Sequence, residues 1–260
     1  MILTGAKPGG TLFMRSSAVW VQLLFLAILL TLWYLAANDW NVPALLLPEP
    51  TGVFHRAVGL IADGEIVEPL QTTLFEAVTA FLTSAILGIA FGYFLSTSPF
   101  MTEVCDPLLT SINAIPAILF LPLFALLFGL GSGSKIALGI TVSFFPITLQ
   151  TLAAFTNVDK VHIRAAQSMG ASAGHMIRYV LLPSTLPVIV AGLRMGMVLS
   201  FLAIIGGETI ASFAGLGHQV AESSQAMDAE LMYAWIVIVI TVSALLNLGL
   251  SQLEKLGVRS

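Results

Sequence analysis

Long apolar segments separated by short polar ones run along most of this chain. A helix that crosses a bilayer needs about 20 apolar residues to span about 30 Å of hydrocarbon. At that length the pattern predicts six membrane spans, over residues 18–37, 71–96, 107–130, 136–155, 186–210 and 231–253. The first is longer than the apolar core of a secretory signal peptide, so we interpret it as a retained span. The predicted fold class is therefore an all-α polytopic membrane protein.

Polar segments flank and connect these spans. We predict a cytoplasmic tail at 1–17, a long connection at 38–69, a cytoplasmic loop at 156–185 and a cytoplasmic tail at 254–260. Pro48 and Pro50 exclude regular helix in the middle of the long connection. Thr51 is then expected to cap a short helix that lies with one apolar face along the membrane surface. That face consists of Val53, Phe54, Ala57, Val58, Leu60 and Ile61.

The composition agrees with a membrane protein and excludes other classes. Hydrophobic residues make up 57% of the 260 residues and charged residues only 9%, against about 25% in soluble domains. The mean hydropathy is +0.97. No basic stripe with interleaved aromatic residues is present, so we expect the lipid bilayer and not nucleic acid as a partner.

No credible catalytic or cofactor-binding motif is found. The segment Gly129–Lys135 looks superficially like a phosphate loop, but Ser134 stands where that motif requires glycine, and no hydrophobic strand precedes it. The four histidines are scattered and Cys105 is alone, so we expect neither a metal site nor an intrachain disulfide. We predict that the chain is not an enzyme and binds no cofactor itself.

Basic residues favour one side of the predicted membrane. Six spans place both termini on the same side, where seven Lys and Arg residues fall, against two on the other side. The first group is Lys7, Arg15, Lys160, Arg164, Arg178, Lys255 and Arg259, and the second is Arg56 and Lys135. Because cytoplasmic segments are enriched in positive charge, we expect both termini and the loop 156–185 in the cytoplasm.

Four residues within the spans are candidates for a translocation pathway: Asn113, Pro116, Arg194 and Glu208. Ionisable groups are costly inside a membrane and are functional candidates for that reason. Arg194 either lines or gates the pathway, or it pairs within the bundle or reaches the cytoplasmic interface. Glu208 lies either at the mouth of the pathway or at the interface, while Glu76 is expected to face a headgroup. Asn113 and Pro116 together would break the third span and expose backbone to a cavity.

The polar island at residues 164–183 concentrates positive charge between two long apolar runs. Small residues recur within it at helical spacing, at Ala165, Ala166 and Gly170, and it closes on Leu182-Pro183. A short helix with a flat, small-residue face is suited to docking into a groove on another protein. We therefore expect a soluble partner protein to bind the membrane chain at this loop.

The island also carries a family resemblance. Its pattern Ala165-Ala166-x3-Gly170-x9-Val180-x-Leu182-Pro183 resembles the EAA motif, E-A-A-x3-G-x9-I-x-L-P, of the permease subunits of binding-protein-dependent ABC importers. The spacing agrees at every position, while Arg164 replaces the usual Glu and Val180 the usual Ile. From Leu47 onward the chain is similar to the nitrate/sulfonate/taurine-type branch. This likeness rests on residues 47–51, 106–108, 115–116, 121–123, 131–135, 144–147, 186–189, 192–194 and 215–217.

The resemblance implies a fold and a mechanism. The fold would be a five-helix permease core of the type I ABC importer kind in a bacterial inner membrane, with two copies forming the pore. Two ATP-binding subunits, which hold ATP and Mg²⁺, would grip the coupling loops. The coupling residues would be Arg164, Ala165, Ala166, Gly170, Leu182 and Pro183. A periplasmic or lipid-anchored binding protein would deliver a small polar or anionic solute. The solute would resemble nitrate, a sulfonate or taurine, or it would be an aromatic acid or a pyrimidine-like compound.

A secondary transporter or channel that works alone is the alternative function. It requires a self-contained ion-coupling site within the membrane. The spans hold few ionisable groups, and no inverted repeat is evident. Uptake by the purified chain without any ATPase partner would decide for this alternative.

Overall fold

A computed structural model describes residues 10–39 and 42–257 of the chain. Within these ranges the regular structure is helical and no strand occurs. The ends of the two predicted tails, residues 1–9 and 258–260, lie outside the described residues. Helix α1, Gly10–Asn38, already begins inside the predicted tail 1–17.

Five helices in the described part of the chain are long and apolar enough to cross a membrane. They are α1, α3 (Val67–Ser96), α6 (Ser132–Thr156), α9 (Leu182–Ile210) and α11 (Ala229–Gly257). A bent pair, α4 (Pro99–Asn113) followed by α5 (Leu121–Phe128), supplies a sixth crossing if it counts as one span. The predicted all-α polytopic class is confirmed.

The predicted third span, 107–130, is a broken element and begins earlier than expected. Helix α4 starts at Pro99, because proline is tolerated at the first helical position. It ends at Asn113, and a 3₁₀ turn, Ala117–Phe120, leads into α5 at an angle of 76° to α4. Pro116 causes the break, since it donates no hydrogen bond and disfavours helical backbone in the residue before it.

Helix α2, Pro50–Ala62, differs from its predicted placement. Its N-cap is Glu49 and Pro50 occupies the first turn, so the expected cap at Thr51 is wrong. Part of its apolar face is buried against α10 (Leu216–Gln225) and α11, and the rest is exposed. The buried part is Val53, Ala57 and Leu60, and the exposed part is Phe54, Val58 and Ile61. The helix therefore packs on the bundle as well as facing outward.

Helices α3, α6 and α9 form the centre of the bundle. Helices α3 and α6 run in the same direction, since Leu95 packs with Leu152 at their ends. Close approach depends on glycine at one contact, because a Cβ on Gly92 would lie 2.6 Å from the carbonyl oxygen of Thr148. Small residues are the usual means by which membrane helices approach this closely.

The predicted loop 156–185 is largely helical. It contains α7 (Lys160–Ser168), α8 (Ala173–Met176) and a π-helical turn at Ile177–Leu181 that continues directly into α9. These elements lie where α6 ends and α9 begins, which we call the α7 end of the bundle. The start of α3, the start of α6 and the end of α9 meet at the opposite end, beside α10.

Candidate coupling and translocation sites

The coupling segment, residues 159–183, begins with a capped helix. The Asp159 carboxylate accepts a hydrogen bond from the Val161 backbone N–H at 2.8 Å, which satisfies one of the unpaired donors of the first turn of α7. Arg164, Ala165 and Ala166 lie on this helix. Arg164 and Ala165 are exposed and Ala166 is half-buried, so this part of the predicted coupling set is accessible to a partner.

Gly170 ends α7 in a conformation that favours glycine. Its φ is +74°, in the left-handed region. The Gly170 N–H donates to the Gln167 carbonyl and the Ala171 N–H to the Ala166 carbonyl, each at 3.0 Å. These two bonds form a Schellman motif, which closes the helix and sets the direction in which the chain leaves it. A Cβ at Gly170 would meet no atom within 4 Å, so backbone conformation and not space requires glycine here.

An open groove of about 370 Å³ lies between α7 and the helical turns that follow it. Its walls include Ala166, Met169, Gly170 and Tyr179. The Met169 side chain is 85% exposed and Tyr179 is 65% exposed. Large apolar side chains exposed on one patch of a protein commonly mark an interaction surface.

Leu182 and Pro183 belong to the first turn of α9 and not to α7. Leu182 and Pro183 are both exposed, while Thr185, two residues after Pro183, is fully buried. The backbone is helical without interruption from Ala173 to Ile210. Displacement of α8 would therefore be transmitted directly to α9.

Asn113 and Pro116 both line a cavity that has a volume of about 610 Å³. The cavity lies between the break in the bent pair and the neighbouring helices α6 and α9. It is lined by Ile112, Asn113, Ala114, Ile115, Pro116, Ala117, Phe120, Phe124, Thr141, Val142, Phe145, Pro146, Met195 and Leu199. The structure thus brings together two of the four residues predicted for the pathway.

Arg194 pairs within the bundle. Its guanidinium donates to the Glu254 carboxylate at 2.8 Å and to the Asn247 side-chain oxygen at 2.9 Å, which ties α9 to α11. It borders a second cavity of about 400 Å³ and does not line the large one. Of the alternatives derived from the sequence, the structure therefore shows the ion pair within the bundle.

Glu208 and Glu76 are both buried inside the bundle, which corrects the interfacial positions expected for them. Glu208 is 1% exposed. Its carboxylate accepts hydrogen bonds from the Thr73 hydroxyl at 2.7 Å and from the Gly217 N–H at 2.8 Å. Glu76 has no exposed surface and faces Lys135, not a headgroup, with 3.6 Å between the Lys135 Nζ and the Glu76 Oε1.

These four side chains, Thr73, Glu76, Lys135 and Glu208, form what we call the buried hub. The Lys135 ammonium also donates to the Leu130 carbonyl at 3.2 Å and to the Ser212 hydroxyl at 2.8 Å. The Thr73 hydroxyl accepts from the Leu216 N–H at 2.9 Å, so it joins α3 to the start of α10. The hub connects α3, α6, α9 and α10 at the end of the bundle opposite α7.

Sequence reasoning missed the hub as a unit. One signal was available, because three successive core helices each carry an ionisable residue toward the same end of the bundle. Buried charges are stable only when paired, so opposite charges at one depth of neighbouring helices are expected to meet. Hydropathy alone assigned these residues to interfaces instead.

The fold and these sites define a class of protein. Apolar helices cross the membrane, one crossing is broken beside a cavity, and an exposed helical segment presents a docking surface between two of them. This combination describes the membrane subunit of a transport system that is coupled to a partner.

Comparison with known proteins identifies the family. Residues 84–256 match the family described as binding-protein-dependent transport system inner membrane component, and this chain belongs to it. The chain is 32% identical over 235 residues to the taurine transport system permease protein TauC of Escherichia coli (strain K12), covering 88% of this chain and 86% of that protein. It is 28% identical to the putative aliphatic sulfonates transport permease protein SsuC of Bacillus subtilis (strain 168), covering 96% and 89% of the two chains. The riboflavin transport system permease protein RibX of Chloroflexus aurantiacus is 29% identical, covering 90% and 87%.

Solved structures share the fold. A chain of the MetNI methionine ABC transporter in an inward-facing conformation superimposes with a TM-score of 0.62 at 19% identity, covering 71% of this chain and 92% of that one. A chain of an amino acid ABC transporter with histidines gives a TM-score of 0.62 at 18% identity, covering 78% and 97%. At such identities the likeness concerns the fold alone, which is that of type I ABC importer permeases.

The family assignment confirms the function class predicted from the sequence. The chain is a multi-pass inner-membrane permease subunit of an ABC importer, and ATP hydrolysis belongs to a separate subunit. Members of this family pair with ATP-binding and substrate-binding subunits. The alternative of a transporter or channel that works alone receives no support from these relatives.

Proposed function

We propose that this chain forms the translocation pathway for a small polar or anionic solute and couples it to a separate ATPase through residues 159–183. The observation that carries this proposal is the exposed α7 with its Schellman end at Gly170, set between two core helices. The substrate class comes from the relatives, whose names specify taurine, aliphatic sulfonates and riboflavin. ATP and Mg²⁺ bind the partner and not this chain.

The coupling segment docks as a helix in a groove of the ATPase. The small side chains of Ala165 and Ala166 allow close backbone approach, and Met169 supplies an apolar contact beside them. Arg164 is exposed and forms no ion pair among the described residues, so it is available to an acidic patch on the ATPase. Movement of the docked helix passes through α8 and the π-helical turn into α9, which borders the large cavity at Met195 and Leu199.

The complete importer contains two copies of this chain, two ATP-binding subunits and a periplasmic or lipid-anchored binding protein. Both termini and the coupling segment lie in the cytoplasm. Charge supports this orientation, because Lys160, Arg164 and Arg178 are exposed at the α7 end. At the opposite end Lys135 is buried in an ion pair, and Arg56 is exposed beside Asp228. Lys and Arg residues in short segments near the membrane are enriched on the cytoplasmic side.

The decisive experiment compares two glycines of the coupling segment in the reconstituted complex. Gly170→Leu forces a branched side chain into a left-handed conformation and misdirects the end of α7. Gly174→Leu is the matched control, because Gly174 lies in α8 without a positive φ and a Cβ there meets no atom within 4 Å. We expect substrate-stimulated ATP hydrolysis and uptake to be lost in Gly170→Leu and kept in Gly174→Leu.

Membrane insertion is measured in both variants by protease accessibility and detergent-solubilised yield, and we expect it to be unchanged. Normal coupling in Gly170→Leu would contradict the proposal. Uptake by the purified chain in liposomes without an ATPase would contradict it as well.

A further inference from the structure

A π-helical turn, Ile177–Leu181, joins the coupling segment to α9. The Leu182 N–H donates to the Ile177 carbonyl, five residues back, whereas an α-helix would use the carbonyl of Arg178. Such a turn holds one residue more than an α-helical turn, is rare, and is frequently found inside α-helices at functional sites. The extra residue lies between the segment that docks and the helix that borders the large cavity.

Pro183 explains why the helix widens at this point. Proline has no N–H, and in an uninterrupted α-helix its ring would clash with the carbonyl four residues back, which is that of Tyr179. A wider turn moves that carbonyl away from the ring, so the backbone stays helical through Pro183 up to Ile210. The Ser184 hydroxyl donates to the Val180 carbonyl at 2.6 Å, which adds a bond beside the donor that Pro183 lacks.

Packing explains why a second proline of this helix has no π turn before it. No residue of the turn Ile177–Leu181 is buried, so the backbone before Pro183 is free to widen. Pro187 lies one turn further along α9, where the neighbouring Thr185 is fully buried and the backbone remains α-helical. Of these two prolines, the one that follows an unpacked turn is therefore the one with a π turn.

We propose, on the basis of the coupling function above, that Pro183 is a positioning residue for coupling. It forces the π turn, and the extra residue of that turn sets the rotation of α8 about the helix axis relative to α9. If the turn closed to α-helix, α8 would rotate by about 100° and shift by about 1.5 Å relative to α9. Residues 169–172 connect α8 to α7, so Ala165 and Ala166 would then face the ATPase in another direction.

The test compares the two prolines in the complete importer. The permease, its ATP-binding subunits and the binding protein with its endogenous ligand are reconstituted in nanodiscs, and ATP hydrolysis is measured with and without the binding protein. Pro183→Ala restores an N–H and removes the ring, so the turn can close to α-helix. We expect stimulation by the binding protein to be lost in Pro183→Ala and kept in the matched control, Pro187→Ala.

A compensating deletion separates positioning from a general effect on folding. Ile177 is 49% exposed and lies at the start of the π turn. Its deletion in the Pro183→Ala chain removes the extra residue, so a plain α-helix would return α8 to its native rotation relative to α9. We expect this double variant to regain stimulation, whereas the same deletion in the Pro187→Ala chain should abolish it.

Normal stimulation in Pro183→Ala would overturn the positioning role, and so would a loss that the deletion does not restore. If Pro183→Ala and its double variant both fail to insert into the membrane while Pro187→Ala inserts, Pro183 serves folding and the positioning role is wrong. The wild-type complex distinguishes these results from a failure of the proposed function. If the binding protein does not stimulate the wild-type complex, the proposed function fails, whereas equal stimulation of wild type and Pro183→Ala refutes the positioning role alone.

Discussion

The buried hub and the coupling segment are both groups of polar residues in a largely apolar chain, but the hub is buried and the coupling segment is exposed. In the hub, Glu76, Lys135 and Glu208 are each at most 2% exposed and are held by partners from other helices. In the coupling segment, Lys160, Arg164 and Arg178 are exposed, and no ion pair forms there among the described residues. The charges of the hub are buried beside each other, and those of the coupling segment are exposed.

The difference separates two tasks at the two ends of the bundle. Desolvated charges hold α3, α6, α9 and α10 in a fixed arrangement, because breaking one pair leaves an unpaired charge in the interior. Solvated charges contribute little to folding and remain available for docking. Substitutions of the same chemical kind should therefore have unequal effects at the two ends.

The largest effect is expected from Lys135→Met, which leaves Glu76 buried without a cation. Removing one partner of a buried pair costs about 3–5 kcal/mol. We expect a large fall in the thermal stability of the purified chain in detergent, measured by fluorescence-detected size exclusion after heating. Lys160→Met, the matched change in the coupling segment, should leave stability unchanged.

The double variant Lys135→Met with Glu76→Gln tests the cause of that loss. Neutralising the orphaned carboxylate should recover much of the stability. Unchanged stability in Lys135→Met alone would show that the pair does not hold the bundle together, and it would remove the contrast between the hub and the coupling segment.

A smaller effect is expected from Thr73→Val. The Thr73 hydroxyl donates to Glu208 and accepts from the Leu216 N–H, so its loss leaves two buried groups short of a partner. The expected cost is about 1–3 kcal/mol, measured in the same assay. Thr72→Val is the neighbouring control, since the Thr72 hydroxyl bonds only to the Glu68 carbonyl within α3. Equal stability of the two variants would contradict the assigned role of Thr73.

The Arg194–Glu254 pair should contribute less to stability than the Lys135–Glu76 pair, because its side chains are 35% and 28% exposed. For partly solvated pairs the coupling energy is about 0–1 kcal/mol. A double-mutant cycle with Arg194→Met and Glu254→Gln measures it from thermal stabilities. A coupling as large as that of the Lys135–Glu76 pair would show that burial does not explain the difference between the sites.

The smallest effect on folding is expected from Arg164→Ala. An exposed substitution without internal partners changes the free energy of unfolding by about 0.5 kcal/mol or less. The affinity of the Arg164→Ala permease for the ATP-binding subunit should fall. Biolayer interferometry with the permease in nanodiscs measures this affinity. Loss of stability without loss of affinity would mean that Arg164 serves the fold and not the partner.

Much of the fold was predictable because the bilayer imposes local rules. Spans follow from apolar windows, and the break in the third span follows from Pro116, which donates no backbone hydrogen bond. The helical character of residues 164–183 was predicted from small residues at helical spacing, whereas the end of α7 at Gly170 was not, because that glycine was assigned to the helix face. The early start of α4 at Pro99 was missed, because a moderately polar first turn resembles a loop in hydropathy.

The candidate sites were predictable only where neighbours in sequence form them. Asn113 and Pro116 lie three residues apart and line the same cavity, as their pattern indicated. Glu76 and Glu208 were misplaced, because their surroundings come from helices far away along the chain. The sequence shows that a charge lies within a span but not which way it faces.

By itself the sequence determined that this protein is a helical membrane permease with a polar segment between two of its spans, since backbone hydrogen bonding in lipid and apolar length are local matters. Only the tertiary structure decided that Glu76 meets Lys135 and that Thr73 meets Glu208. The physical reason is that burial of a charge depends on the rotation and depth of several packed helices at once. That arrangement is a property of the whole bundle and not of any one span.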